Sequence, residues 1–254
     1  MPSRLRRFFE RGAVAFVART WHTGSARFRR SATETVARGF ERVTYERMAE
    51  NGLEPDAIVD IGANRGDWSR MVRPIFPDPA ILMIEAQSAL EPELARTARE
   101  LGRAEHRIVL LGPVAGEERA FYEMGTGSSL LPENSNAART VTKSITQTLD
   151  ALAGEALPAA RAIFLKLDIQ GAELMVLAGG EETLSRCSAV QLEVALLPYN
   201  AGAPLLADVV AFMAARGLLV TEVAGFSRPG AHLVQIDLVF ARHGSPLRPD
   251  YFTF

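Results

Sequence analysis

Residues 57–69 read AIVDIGANRGDWS, a short apolar run that breaks at Gly62 into a glycine-containing loop. The run shows no alternation of polar and apolar positions, as expected of a strand buried on both faces. Gly62 and Gly66 are spaced G-x-x-x-G, so the G-x-G-x-x-G fingerprint that cradles a pyrophosphate is absent. A glycine at 62 lets the strand end turn sharply, and one at 66 lets a ligand approach the next helix without meeting a Cβ. Asp60 at the strand end and Asn64 in the loop add an acidic and a polar contact. That rim suits a positively charged ligand and would repel phosphates. A structural role for Asp60, capping the turn that follows, is the alternative.

Outward from this loop, four further runs read as buried strands: AILMIEA (80–86), RIVLLG (107–112), AIFLKLDI (162–169) and AVQLEVA (189–195). Helical patterns lie between them, around 66–76, 88–102, 171–185 and 204–216. A further helix is expected over 31–52, with Val36, Phe40, Val43, Tyr45 and Met48 as its apolar side and Gly52 as its stop. Alternation of this kind specifies a parallel sheet with helices on both faces. The end of the chain departs from it. LLVTEVAG (218–225) and LVQIDLVFAR (233–242) are separated only by FSRPGAH, too short for a crossover helix, so they are expected to pair as an antiparallel hairpin.

The fold expected is therefore α/β: a mostly parallel seven-stranded sheet with helices on both faces and a C-terminal antiparallel hairpin. A dinucleotide-binding sheet would run parallel throughout. The terminal hairpin marks the other large nucleoside-binding class, the Rossmann-like class I methyltransferases that use S-adenosylmethionine. Glu85 ends the second strand, 19 residues beyond Gly66. A carboxylate there can accept hydrogen bonds from both hydroxyls of an adenosine ribose, although NAD sites use the same device. Asp60, Gly62, Asn64, Gly66 and Glu85 are the candidate cofactor-binding residues of this half of the sheet.

FLKLDIQGAELMVLAGG (164–180) is the most specific stretch in the chain. It resembles the FkbM family of S-adenosylmethionine-dependent methyltransferases, whose fourth strand and following helix carry K-x-D-x-E-G-x-E. Lys166, Asp168, Gly171 and Glu173 stand at the matching places, while Gln170 replaces the family's usual glutamate and removes a charge. The resemblance runs from about residue 55 to 242 and includes GTGSSL (125–130), TLDAL (148–152), VQLEV (190–194) and QIDLVFAR (235–242). It implies methyl transfer from S-adenosylmethionine to a hydroxyl of a small molecule or carbohydrate, of polyketide, sugar or glycan type.

An aliphatic hydroxyl is a poor nucleophile, so a base or a metal would help remove its proton as the new bond forms. Asp168 and Glu193, near the ends of neighbouring strands, are the candidate pair, one holding cofactor and the other accepting a proton. They could instead share a divalent cation such as Mg2+, although a metal-free pair is the reading adopted. His232, in the hairpin loop, is the second choice of base. Lys166, one of two lysines in the chain, shares a strand face with Asp168 and should orient it by a salt bridge. Ser128 and Ser129 either contact the acceptor or make a turn, and Asp237 reads as structural. The single cysteine, Cys187, excludes a disulfide framework and reads as a core thiol.

Two domains are expected, a helical segment 1–52 and the catalytic domain 53–254. The first 30 residues carry eight arginines against one glutamate, with Leu5, Phe8, Phe9, Ala13, Phe16 and Val17 near helical spacing. This segment is read as an accessory helix that packs on the domain, covers the site or joins a homo-oligomer. A membrane-surface helix is one alternative, and a secretory signal another, with a short apolar core against it. No run of 18 apolar residues is present, and the protein is expected in the cytoplasm. The net charge of −2 disfavours a nucleic-acid partner. An NAD-dependent oxidoreductase, a non-catalytic scaffold, and a methyltransferase with a nitrogen or nucleic-acid acceptor are the competing functions. No NPPY-type motif supports the last of these.

Overall fold

A computed structural model describes residues 40–228 and 231–249. The basic segment 1–30 and the first part of the helix expected over 31–52 lie outside the described residues. Helix α1 includes residues 41–50. Although the sequence reading sets it apart from the catalytic domain, Tyr45 and Met48 are fully buried in the core.

Strands β1 (Ala57–Ile61), β2 (Ala80–Glu85) and β3 (Ala104–Ile108) lie side by side and parallel, connected through α2 (Asp67–Val72) and α3 (Glu91–Leu101). On the other side of β1 stand β7 (Ile163–Leu167) and β8 (Cys187–Ala195), also parallel. Strand β10 (Gln235–Arg242) then runs antiparallel to both β8 and the edge strand β9 (Leu218–Ser227). The order β3-β2-β1-β7-β8-β10-β9 is the mostly parallel seven-stranded sheet with a closing hairpin that the sequence reading expects.

Alternation along β1 explains the two layers that cover the sheet. Ala57, Val59 and Ile61 face a core shared with α4 (Leu149–Ala156), α5 (Glu173–Ala178) and α7 (Leu206–Ala214), through Leu149, Leu152, Val176, Leu177, Val209 and Met213. Ile58 faces the other side, where Tyr45, Met48, Val72, Leu94 and Phe164 pack. Every residue of β1 and β7 is buried, which is why their sequences lack polar alternation. Cys187 is buried in the first of these cores. Among the described residues, no helix is long and apolar enough to cross a membrane.

Three elements depart from the sequence reading. The third strand is Ala104–Ile108, not 107–112. It is the sheet's edge and only partly buried, so its sequence AEHRI is polar. The apolar pair Leu110–Leu111 (β4) leaves the main sheet and joins a second, three-stranded one of order β4-β6-β5. That sheet contains β5 (Glu118–Glu123) and β6 (Thr140–Gln147), which pair antiparallel. Finally, the helix expected over 171–185 is two short helices, α5 and α6 (Glu181–Ser185), broken at Gly179–Gly180 where helix propensity is low.

Candidate active site

The strand order reverses between β1 and β7, and the carboxyl ends of strands at such a point leave a crevice. A cavity of about 510 Å³ opens there, within the size range of small-molecule sites. Its floor is Gly62, Asn64, Glu85 and Asp168 from the main sheet. Leu110, Leu111 and Phe121 of the second sheet and residues 124–130 of the loop after β5 also line it, with Glu193, Tyr199, Ser227 and Gln235.

Glu85 ends β2 with its carboxylate largely satisfied by the protein. Oε2 accepts the backbone amide of Asn64 at 2.8 Å. Oε1 accepts the amides of Ala86 at 2.9 Å and Gln87 at 3.0 Å, and the Gln87 side chain at 3.2 Å. Each carboxylate oxygen has two lone pairs, so Oε2 keeps acceptor capacity for a ligand hydroxyl. Gln87 also donates to the Gly125 carbonyl at 3.2 Å, tying the strand end to the loop after β5.

The two glycines divide their tasks differently from the expectation. Gly62, at φ +77°, lines the cavity, and a Cβ there would run into the Asp168 carbonyl oxygen. Gly66, at φ +79°, does not line it. A Cβ at 66 would stand 2.6 Å from Thr97 Cγ2 and 3.1 Å from Met83 Sδ. The small residue therefore serves the packing of the loop on α3 and β2.

Asp60 is fully buried and is not among the residues that line the cavity. The Ser69 hydroxyl donates to its Oδ2 at 2.7 Å, and Lys166 Nζ lies 3.6 Å from its Oδ1. The positive group that Asp60 meets is Lys166. Burial raises the Asp60 carboxyl above the usual range, and Lys166 opposes that shift. Burial pushes the Lys166 ammonium down, but Asp168 and Asp60 outweigh it and hold it above the usual lysine range. The same ammonium sits 5.4 Å from the centre of the Trp68 ring.

Asp168 takes the role expected of it with Lys166, whose Nζ is 3.3 Å from Oδ2, and its partly exposed carboxylate faces the cavity. Glu193 faces the same cavity from β8. Burial raises its carboxyl well above the usual range, and Asp168, Glu173 and Asp237 add to that against Lys166. Between Glu193 and Asp168 stands Gln170, whose Nε2 donates to Glu193 Oε2 at 2.6 Å and to Asp168 Oδ1 at 3.4 Å. Below them Glu173 Oε1 accepts the amides of Ile169 and Gly171, each at 3.1 Å, with burial raising its carboxyl to about 7.

His232 is exposed in the connection between β9 and β10 and does not line the cavity. The hairpin reaches the cavity through Ser227, Val234 and Gln235 at its strand ends. Ser128 makes a turn, donating to the Gly125 carbonyl at 2.8 Å and accepting from the Met124 amide at 3.0 Å. Ser129 is buried and donates to the Gln170 carbonyl at 3.0 Å. Asp237 is the register partner of Glu193 and stands outside the cavity lining, with burial raising its carboxyl to about 7. Gln87, Tyr199 and Gln235 are lining residues that the sequence reading does not single out; of the polar additions, Gln170 and Gln235 carried a signal, their places in the 164–180 and 235–242 stretches.

Two observations test the fit of S-adenosylmethionine. The charged residues among the described lining are Glu85, Asp168 and Glu193, all acidic, which suits a sulfonium and an amino group. Glu85 keeps acceptor capacity at the strand end where ribose hydroxyls would be held. For Mg2+ the donor set is unfavourable. The position between Asp168 and Glu193 is taken by an amide N–H donor, and among the described residues no group of three or more His, Cys, Asp or Glu is placed to hold a metal.

Residues 60–220 match the methyltransferase FkbM domain family. No curated protein matches the chain. Among solved structures, the chain is similar to an FkbM methyltransferase from Methylobacillus flagellatus KT, with 15% identity and a TM-score of 0.48. That match covers 74% of this chain and 44% of the other, so the chain spans less than half the length of that protein. It is also similar to magnesium protoporphyrin IX methyltransferase from Synechocystis PCC 6803 with bound SAH, at 12% identity and a TM-score of 0.48, over 94% of this chain and 98% of the other. With the family match spanning well over half of its residues, the chain belongs to the FkbM family of S-adenosylmethionine-dependent methyltransferases.

Proposed function

We propose that this protein moves a methyl group to a hydroxyl oxygen of a small molecule or carbohydrate. The observation that carries the reading is the Glu193 carboxylate lining the cavity with Asp168, the two bridged by the Gln170 amide. When bound, S-adenosylmethionine supplies a methyl carbon already activated by a positively charged sulfur, which leaves as a neutral thioether as the carbon bonds to the acceptor oxygen. Glu85 would hold the ribose hydroxyls, and Asp168 with the 62–66 loop would face the positive groups. Glu193 then accepts the proton that the hydroxyl loses. A carboxylate whose proton affinity is raised by burial is a stronger proton acceptor than an ordinary one. The acidic lining suits a neutral polyol or a cationic acceptor better than a phosphorylated one.

The test is transfer of labelled methyl from S-adenosylmethionine to a panel of hydroxylated acceptors, including sugars and polyketides, with wild type and Glu193→Gln. The expected result is an ether product and a loss of about a hundredfold or more in the variant, with S-adenosylhomocysteine affinity kept within about twofold. Methylation of nitrogen, or full activity of Glu193→Gln, would overturn it.

A further inference from the structure

Gln170 occupies an unusual backbone position. Its φ is +55°, in the left-handed region that most side chains avoid, and Gly171 follows at +92°. The turn lifts the Gln170 side chain off α5 and sets it among three neighbours. Its Nε2 lies 2.6 Å from Glu193 Oε2 and 3.4 Å from Asp168 Oδ1, and its Oε1 accepts from Gln235 Nε2 at 3.4 Å. Its backbone carbonyl accepts the Ser129 hydroxyl at 3.0 Å, which joins the turn to the loop after β5.

The direction of the amide follows from its surroundings. Both N–H groups point at carboxylates and the carbonyl points at another amide, whereas the flipped orientation would press an acceptor against two acceptors. The 2.6 Å separation is short for an amide N–H donor, and a donor pointed at this oxygen favours Glu193 in its ionised form. This matters because the other groups around Glu193 push the opposite way. Asp168 from the end of β7, Glu173 from α5 and Asp237 from β10 are all acidic, and Lys166 opposes them.

We propose that Gln170 is a positioning residue, whose amide fixes the Glu193 carboxylate toward the acceptor and keeps it ionised beside Asp168. The proposal rests on Glu193 being the proton acceptor of the reading above. One donor group spans two carboxylates that would otherwise repel, and the hydrogen bond selects one oxygen of Glu193, leaving the other for the acceptor hydroxyl. Its anchor on Gln235 transmits the position of the closing hairpin to the proton acceptor.

Two variants separate this role from a merely structural one. Gln170→Asn keeps a residue that tolerates positive φ and shortens the side chain by one methylene, so the amide no longer reaches Glu193. Gln170→Glu keeps the length and replaces the donor by an acceptor. Carbon-13 NMR of side-chain-labelled glutamate, with Glu193 assigned by loss of its signal in Glu193→Gln, reads the titration midpoint without any methyl acceptor. The midpoint is expected to rise in both variants, by one pH unit or more in Gln170→Glu. In wild type, a Gln170 side-chain N–H resonance should follow the Glu193 titration, a readout that needs no variant at 170 to fold. Unchanged midpoints, or a Gln170 resonance blind to Glu193, would overturn the proposal. Calorimetry of S-adenosylhomocysteine with wild type, run alongside, tests the cofactor reading separately: failure to bind would sink that reading whatever the NMR shows.

Discussion

Asp60 and Lys166 are register partners on the adjacent parallel strands β1 and β7, and both side chains are buried with Nζ 3.6 Å from Oδ1. Among the described residues Asp60 Oδ1 accepts no hydrogen bond, so the ion pair with Lys166 is what balances that oxygen. Removing the lysine would leave a carboxylate stranded in the core. Lys166→Met is therefore expected to cost about 3–5 kcal/mol in urea unfolding, and Asp60→Asn less, because Lys166 retains Asp168. A loss below about 1 kcal/mol for Lys166→Met would show that the pair is not a buried charge pair.

The two loop glycines should separate stability from binding. Gly66→Ala places a methyl against Thr97 and Met83 at positive φ, for an expected cost of about 2–4 kcal/mol from strain and overpacking together. Its folded fraction should bind S-adenosylhomocysteine with wild-type affinity, since Gly66 does not line the cavity. Gly62→Ala, directed at the Asp168 carbonyl, should lower both. Thermal melts combined with calorimetry distinguish the two; weakened binding in Gly66→Ala alone would return that residue to the cofactor site.

Glu85 combines a structural and a binding task, and substitutions can part them. Glu85→Ala is expected to weaken S-adenosylhomocysteine at least tenfold, about 1.4 kcal/mol. It should also destabilise the strand end, since the amides of Asn64, Ala86 and Gln87 lose their acceptor. Glu85→Gln keeps an acceptor oxygen and should recover part of both. Calorimetry and unfolding of the two variants measure this, and undiminished affinity in Glu85→Ala would remove the ribose contact.

Glu173 gives a signed pH dependence. Burial raises its folded-state carboxyl from an ordinary 4.5 to about 7, so the folded protein holds the proton more tightly than the unfolded chain. Its contribution to stability is full below about 4.5 and is lost as pH rises to about 7. Asp237, raised to about 7 from 3.8, acts in the same sense. Glu173→Gln should flatten the fall in stability between pH 4.5 and 7, measured by urea unfolding across that range. Glu173→Ala should cost about 1–3 kcal/mol at every pH, because the Ile169 and Gly171 amides lose their acceptor. A slope unchanged in Glu173→Gln would reassign the titration.

What was legible in the chain was what depends on local order. Four of the five expected buried runs, the G-x-x-x-G loop, the short FSRPGAH connection and the K-x-D motif lie in contiguous residues, and each has a local physical cause: burial on both faces, a turn, a connection too short to cross over, or strand alternation. From these the parallel sheet, its closing hairpin, the Lys166–Asp168 pair and the family followed. The second sheet was not legible, because β4 and β6 are paired across more than thirty residues and β5 alternates too weakly to announce a strand. Tertiary structure alone decided which polar groups of the loops and strand ends meet. Asp60 ends the first strand and Gly66 closes the loop after it, yet strand register turns one toward Lys166 and helix packing closes on the other. Gln170 and Glu193 are 23 residues apart, and only the adjacency of β7 and β8 with a left-handed turn at 170 brings an amide between two carboxylates.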